Sequence, residues 1–325
     1  MLLLALLVLT ILIILVGQIV LATAHSKTVA DSAMYDLQNS YGTKAGYEVA
    51  IHYLLADAEK APDVDTADEK WSQPQSIQVG KAAVSVRIED CERRINLAMM
   101  VNDKGEPNLK VVARLKRLLR NFGHDETVAD RILDYQDSDT KGEYEANARN
   151  ERLYGLEELQ RIDGLKREVL LGDESRKGII GFLTVWPRAQ GQGATFVGAI
   201  NVNTAGSEVL ESLDDELTST IANAIIARRS TKNADGTSQA FKSVNDLHDV
   251  SGMTDKLYQA IQDQVVVRAS AFEIHCRSAV NTVEKKWVYA VTRSAGGQQG
   301  GAPAAALITS QREPEFLSIK PSEDK

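Results

Sequence analysis

From Met1 to Ala24 the chain carries no charged residue and is dominated by Leu, Ile and Val. At a helical rise of about 1.5 Å per residue, this run is long enough to cross a hydrocarbon core. The pattern then changes without a break. Ala30, Met34, Leu37, Tyr41, Ala45 and Val49 recur at three- and four-residue steps, and the first proline is Pro62. The spacing predicts one continuous helix over 1–56, with an apolar stripe along its second half. A secretory signal peptide, cut after the small residues Ala22-Thr23-Ala24, is the competing reading. Against it stand the lack of a basic segment and a run well beyond the usual 7–15 residues or so.

Residues 57–76 turn acidic and polar, with Pro62 and Pro74, and end the helical pattern. Residues 76–88 then alternate around a turn at Val79-Gly80-Lys81, with Val84, Val86 and Ile88 on one face, which predicts a pair of short strands. Helical spacing takes over at 109–120 and holds through 129–133, 155–161, 207–213, 217–229 and 244–261. Strand character returns at 265–268, 272–280, 287–292 and 305–310. The Gly-rich stretch 296–303 makes the last two runs a hairpin with a loose tip.

This order predicts an α+β fold with four parts. A membrane and stem helix occupies 1–56. A small antiparallel sheet from 57–94 and 266–312 packs on it. A mostly α-helical insertion fills 95–265, and 313–325 forms a polar tail. Of the 325 residues, 43% are apolar and 25% charged, which is globular rather than disordered.

The insertion contains a weak repeat. Residues 156–165 align with 244–253, placing Gly164 and Gly252 where two short helices would turn against each other. Such helix-hairpin-helix units can hold DNA phosphates on backbone amides. Acids flank both units, and the formal net charge is 37 − 45 = −8. A packing module is therefore favoured, and a polyanionic partner such as nucleic acid is not expected.

Candidate chemistry is concentrated in one loop. Asp134-Tyr-Gln-Asp-Ser-Asp139, followed by Gly142-Glu143-Tyr144-Glu145, supplies the oxygen donors that a calcium ion of six to eight ligands needs, although a solvated acidic loop has the same composition. The five histidines, His25, His52, His124, His248 and His275, share no metal-ligand spacing, and there is no Gly-x-Ser-x-Gly and no phosphate-binding Gly loop. In Asn201-Val-Asn-Thr-Ala205, Asn203 or Thr204 is expected to cap a helix starting at Ser207. Cys91 ends the last strand before the insertion and Cys276 lies in a strand after it. If those strands are neighbours, a disulfide would clamp the insertion's root; otherwise both are buried thiols.

Taken together, the apolar stem, Cys91-Glu-Arg-Arg-Ile-Asn-Leu97, the Asp134–Asp139 loop, the two hairpins, Ile200-Asn-Val-Asn-Thr-Ala205 and the closing strands resemble one family. It is the large minor pseudopilin of type II secretion, general secretion pathway protein K, and the resemblance covers about residues 1–310. Tyr135 and Ala98 depart from its usual Trp and Asn. Ala5 stands where most pilin-like chains carry a glutamate, a trait of this tip subunit.

The resemblance implies a noncatalytic subunit that caps a periplasmic pseudopilus with other minor pseudopilins. It would be anchored by a single pass in the bacterial inner membrane, with its body in the periplasm. Partners would include the pseudopilus, the inner-membrane secretion platform and secreted substrates. The resemblance also implies calcium as a cofactor at Asp134, Asp137 and Asp139, with Glu143 or Glu145 joining. The stem face Ala30, Met34, Leu37, Tyr41 and Ala45 is expected to contact partner stems. Two other classes compete: a membrane-anchored DNA-binding protein of the competence type, built on the hairpins, and an anchored metal-dependent hydrolase built on the acidic loop.

Overall fold

A single helix, α1 (Leu2–Lys60), carries the chain from the apolar run to the base of the sheet. At 59 residues it is about 88 Å long. It continues four residues past its expected end because nothing before Pro62 breaks it; the Ala61 amide still donates to the Asp57 carbonyl at 2.8 Å. The computed structural model describes residues 1–102, 104–187, 198–233, 236, 238–293 and 309–311, the last three by backbone alone. The expected loop at 296–303, most of the run at 305–310 and the tail at 313–325 lie outside them.

The main sheet begins with β1 (Gln75–Val79) and β2 (Ala82–Asp90), joined at Gly80, whose φ of 59° suits the tight turn. The chain then leaves for the insertion. Its elements are β3 (Ile95–Asn96), α2 (Leu109–Asn121), α3 (Thr127–Asp134), α4 (Arg167–Leu171), β4 (Leu183–Thr184), β5 (Ile200–Asn201), α5 (Ser207–Glu211), α6 (Ser219–Ser230), α7 (Asp255–Ile261) and β6 (Val265–Val266). It returns through β7 (Ala271–Val280), β8 (Val283–Thr292) and β9 (Thr309–Gln311). The sheet order is β1-β2-β7-β8-β9, antiparallel at every step.

Alternation along β2 and β7 turns one face of the sheet onto α1. Val84, Val86, Ile88, Phe272, Ile274, Cys276 and Val280 share a core with Tyr47, Ala50 and Leu54 of the helix. Two glycines let the helix come close. A Cβ on Gly42 would stand 2.3 Å from Ser278 Oγ, and one on Gly46 would stand 2.9 Å from Val86 Cγ2.

The insertion has a separate core, which includes Leu115, Leu118, Leu119, Ile132, Leu153 and Phe241. It is less purely helical than its spacing suggests. The expected strand at 265–268 does not join the main sheet; β6 pairs in parallel with β5, and β3 pairs in parallel with β4, so two short ladders close the insertion on itself.

The expected helices at 155–161 and at the start of 244–261 are 3-10 turns, Leu156–Arg161 and Val244–Asp249. In each an acid three residues in reaches back to the capping amide: Glu158 accepts from Gly155 at 3.3 Å, Asp246 from Ser243 at 3.1 Å. Gly164 (φ 84°) and Gly252 (φ 89°) then turn the chain into α4 and α7. The repeat is thus a repeat of structure. Its tips pack on the insertion itself: a Cβ on Gly164 would meet the Arg131 guanidinium at 2.8 Å, and one on Gly252 would meet Ile221 at 3.0 Å.

The β7–β8 turn lies beside Asn39, whose amide donates to Val283 O, whereas Arg293 at the other end of β8 reaches Asp57. The insertion therefore rides on the end of the sheet farthest from the apolar run.

Candidate functional site

Three places concentrate the side chains singled out by the sequence: the outer face of the stem, the acidic loop after α3, and the root where the insertion joins the sheet.

On α1 the buried residues Asn39, Gly42, Thr43, Gly46, Tyr47, Ala50 and Leu54 face the sheet. With 100° per residue, Ala30, Met34, Leu37, Tyr41 and Ala45 point to the opposite side. Leu37 is 56% exposed and Tyr41 63%. Ala30 and Met34 are exposed and Ala45 is half-buried. The structure brings all five onto one strip of helix that the protein's own sheet does not cover.

In the acidic loop three of the five expected carboxylates converge. Ligand oxygens of Asp137, Asp139 and Glu145 lie within 4.8 Å of one another. Asp134, the last residue of α3, is not a member of that group; it accepts the Tyr144 amide at 2.9 Å and fills the space that a side chain on residue 142 would need. Glu143 is exposed and outside the group. Asp139 accepts the Lys141 amide at 2.8 Å and Glu145 the Gly142 amide at 3.0 Å, which shapes the loop around the three acids. Buried Gln136, which no motif or spacing singles out, ties the loop down by donating to Ile132 O at 3.2 Å and accepting from Leu153 N at 3.1 Å.

Asp137 is the key to what the loop can do. It is 5% exposed, and its Oδ1 is buried with no hydrogen-bond donor. Burial, with Asp139, Glu145 and Asp134 adding to it, pushes its pKa up to about 6. A buried carboxylate oxygen without a donor is costly, and hard oxygen donors suit a calcium-like cation. These three residues fit such an ion.

At the root, Asn201 and Thr204 converge on Asp90 at the end of β2. Asn201 Nδ2 and Thr204 Oγ1 donate to Asp90 Oδ2 at 2.8 and 2.6 Å, and the Glu92 amide donates to Oδ1 at 2.7 Å. Asn203 accepts from the Phe241 amide at 2.9 Å and donates to Phe241 O at 2.9 Å. Neither Asn203 nor Thr204 caps α5, whose N-cap is Gly206. Their side chains are instead committed to tying the insertion to β2 and to itself.

Next to this root, Arg94 donates to Glu273 at 2.9 Å and to Glu89. Burial alone would raise Glu273, but Arg94 and His275 outweigh it and hold its pKa at about 2. Glu89, Glu273 and His275 also lie within 4.8 Å of one another. The Arg94 guanidinium already supplies their countercharge.

Of the two alternatives for the cysteines, the structure shows the buried thiols and not the bridge. Cys91 and Cys276 are free and buried. β2 and β7 are indeed neighbours, but Val86 is the residue opposite Cys276, and Asp90 is opposite Phe272. Cys91 thus lies about five residues along, roughly 16 Å at strand rise, against the reach of about 7 Å that a bridge allows.

Compared with known proteins, residues 200–268 match the family model for type II secretion system (T2SS), protein K. No curated protein sequence matches the chain. Among solved structures the chain is similar to one in the crystal structure of the GspK-GspI-GspJ complex from the enterotoxigenic Escherichia coli type 2 secretion system. The TM-score is 0.66 at 15% identity, covering 87% of this chain and 99% of that one. At that identity the likeness is one of fold.

Proposed function

We infer the role of this chain from its membership of the type II secretion protein K family, the minor pseudopilins to which residues 200–268 assign it. It is a noncatalytic subunit that caps the tip of a pseudopilus and assembles there with other minor pseudopilins. The observation that carries this reading is the insertion's position: a separately cored body on the end of the sheet remote from the apolar run, where a further subunit would have to stack. The solved complex joins a chain of this fold to two others, which supports the same kind of partners here.

The apolar start of α1 is long enough to anchor the chain by a single pass. In this reading the body lies in the periplasm, close to the inner-membrane platform and the secreted substrates. The uncovered strip at Ala30, Met34, Leu37, Tyr41 and Ala45 receives partner stems. Calcium occupies the loop through Asp137, Asp139 and Glu145, with Asp134 holding the loop's shape; its charge would let Asp137 stay ionised while buried.

Site-specific photocrosslinking in the assembled system tests the cap. Probes at Leu37 are expected to capture other stems, while probes on the exposed side of the insertion, such as at Arg161, capture no pilin-like subunit. Equal capture of such subunits at both places would refute the terminal position.

A further inference from the structure

Where α1 ends, three carboxylates surround one guanidinium. Ligand oxygens of Asp57, Asp65 and Glu69 lie within 4.8 Å of one another. Arg293 donates to both oxygens of Asp65, at 2.7 and 3.2 Å, and stands 3.7 Å from Asp57. Asp65 is fully buried and also accepts the Ala269 amide at 2.8 Å. Glu69 accepts from the Thr66 amide at 3.1 Å and from Trp71 Nε1 at 2.5 Å. Asp57 Oδ2 is buried with no hydrogen-bond partner.

Each packed element contributes to the balance. The segment after α1 brings Asp65, Asp68 and Glu69; the end of β8 brings Arg293; β2 brings Asp90, which feels Asp65. β7 brings the uncharged Phe272 ring, 4.9 Å from the Arg293 guanidinium carbon. Three ionised acids against one cation leave an excess of two negative charges in a site largely closed to water, which such carboxylates relieve by keeping a proton. The oxygens of Asp65 and Oε2 of Glu69 are already engaged by N–H donors, so a proton needs less rearrangement than a metal ion.

We propose that Asp57 keeps a proton beside the ion-paired Asp65, and that this proton closes a clasp between the end of the stem helix, the segment after it and the root of the insertion. Loss of the proton places two like charges side by side and loosens the clasp. Burial, with Glu69 and Asp65 adding to it and Arg293 opposing, pushes Asp57 up to about 7, so the device responds close to neutrality. For a group raised in the folded state, the stabilisation is complete below the ordinary carboxylate range and is lost as pH rises through the folded value.

Trp71 reports on the clasp through its bond to Glu69. In the full-length chain in detergent, with Trp186 and Trp287 changed to Phe, Trp71 emission is expected to shift with a midpoint near pH 7. The melting temperature should fall from pH 5 to 8, with a smaller fall in Asp57→Asn. A flat Trp71 titration would overturn the proposal, as would an unchanged midpoint in Asp57→Asn. If that variant does not fold, Asp57→Glu, which keeps the acid but lengthens its arm, must move the midpoint; no movement refutes the assignment. Repeating the titration in millimolar calcium or magnesium, on an Asp137→Asn background, must leave the midpoint in place. A displaced midpoint there would mean that a cation, not a proton, balances the cluster.

Discussion

Ser278 on β7 donates a hydrogen bond of 2.9 Å to the side chain of Asn39 on α1, and both residues are fully buried. Asn39 passes the bond on to Val283 O at 2.9 Å, so one polar chain joins the stem to the β7–β8 turn. Gly42, one turn along the helix, leaves the space that this contact occupies. An Asn39→Ala change strands the buried Ser278 hydroxyl and leaves the half-buried Val283 carbonyl without this donor, and is expected to cost about 1–3 kcal/mol. Gly42→Ala should also destabilise, because its new methyl meets Ser278 Oγ, and Ser278→Ala should recover part of that loss. Denaturant midpoints of the two single variants and the double variant check this; strict additivity would remove the proposed clash.

Calcium should raise the melting temperature, and more at pH 7.5 than at pH 5. Asp137 is held up at about 6, so without an ion its stabilisation is present below the ordinary carboxylate range and lost as pH rises through 6. Below 6 the ion competes with the proton; above it the buried charge awaits a partner. At a free concentration one hundred times the Kd, the gain is about 2.7 kcal/mol. Asp137→Asn should abolish the calcium response. Identical melting curves in millimolar calcium and in chelator, at pH 7.5, would refute the site.

Arg94 is the countercharge for Glu273 and Glu89, all three at least four-fifths buried. Arg94→Met leaves two carboxylates without it and is expected to cost about 3–5 kcal/mol. Glu273 is depressed to about 2. Its contribution is therefore complete above the ordinary carboxylate range and fades as pH falls towards 2. Acid unfolding between pH 4.5 and 2 should be shallower in Glu273→Gln, and an unchanged curve would show that the pair stores no such stability.

Both cysteines should behave as free thiols. Burial pushes Cys276 up to about 12 and raises Cys91 well above the ordinary thiol value, so neither is a thiolate at neutral pH. Alkylation should be slow in the native chain and reach both residues once it is unfolded without reductant. A species resistant to alkylation until reduced would contradict the strand register.

Local periodicity made much of this legible. The uncharged run, the recurrence from Ala30 to Val49 and the wait until Pro62 for a proline announced α1, and alternation at Val84, Val86 and Ile88 announced β2 with its core face. What stayed hidden depends on register or on distant partners. Cys91 comes directly after the strand that neighbours the one holding Cys276, and only the pairing of Val86 with Cys276 shows how far apart they are. Asn203 and Thr204 read as caps because local signals favour that use, whereas their partners, Phe241 and Asp90, are 38 and 114 positions away. In the acidic loop the residue types were visible, but the division between Asp137 and Asp134 arises from a backbone bend that brings the Tyr144 amide onto Asp134.

Leu37 offers the sharpest test of the stem strip. It is 56% exposed on α1, on the side away from Asn39 and Gly42, so a charge there leaves the helix–sheet contact intact. Leu37→Asp should keep the isolated chain's melting temperature within about 1 °C, a surface substitution being worth only a few tenths of a kcal/mol. In an apolar seam between helices the same carboxylate would be desolvated without a partner, at about 1–3 kcal/mol or more. Copurification with other pilin-like subunits, and secretion, should therefore drop at least several-fold. Asn39→Ala would show the reverse, a lowered melting temperature with the strip itself preserved. Full assembly and secretion by a stably folded Leu37→Asp chain would exclude this strip from the interface.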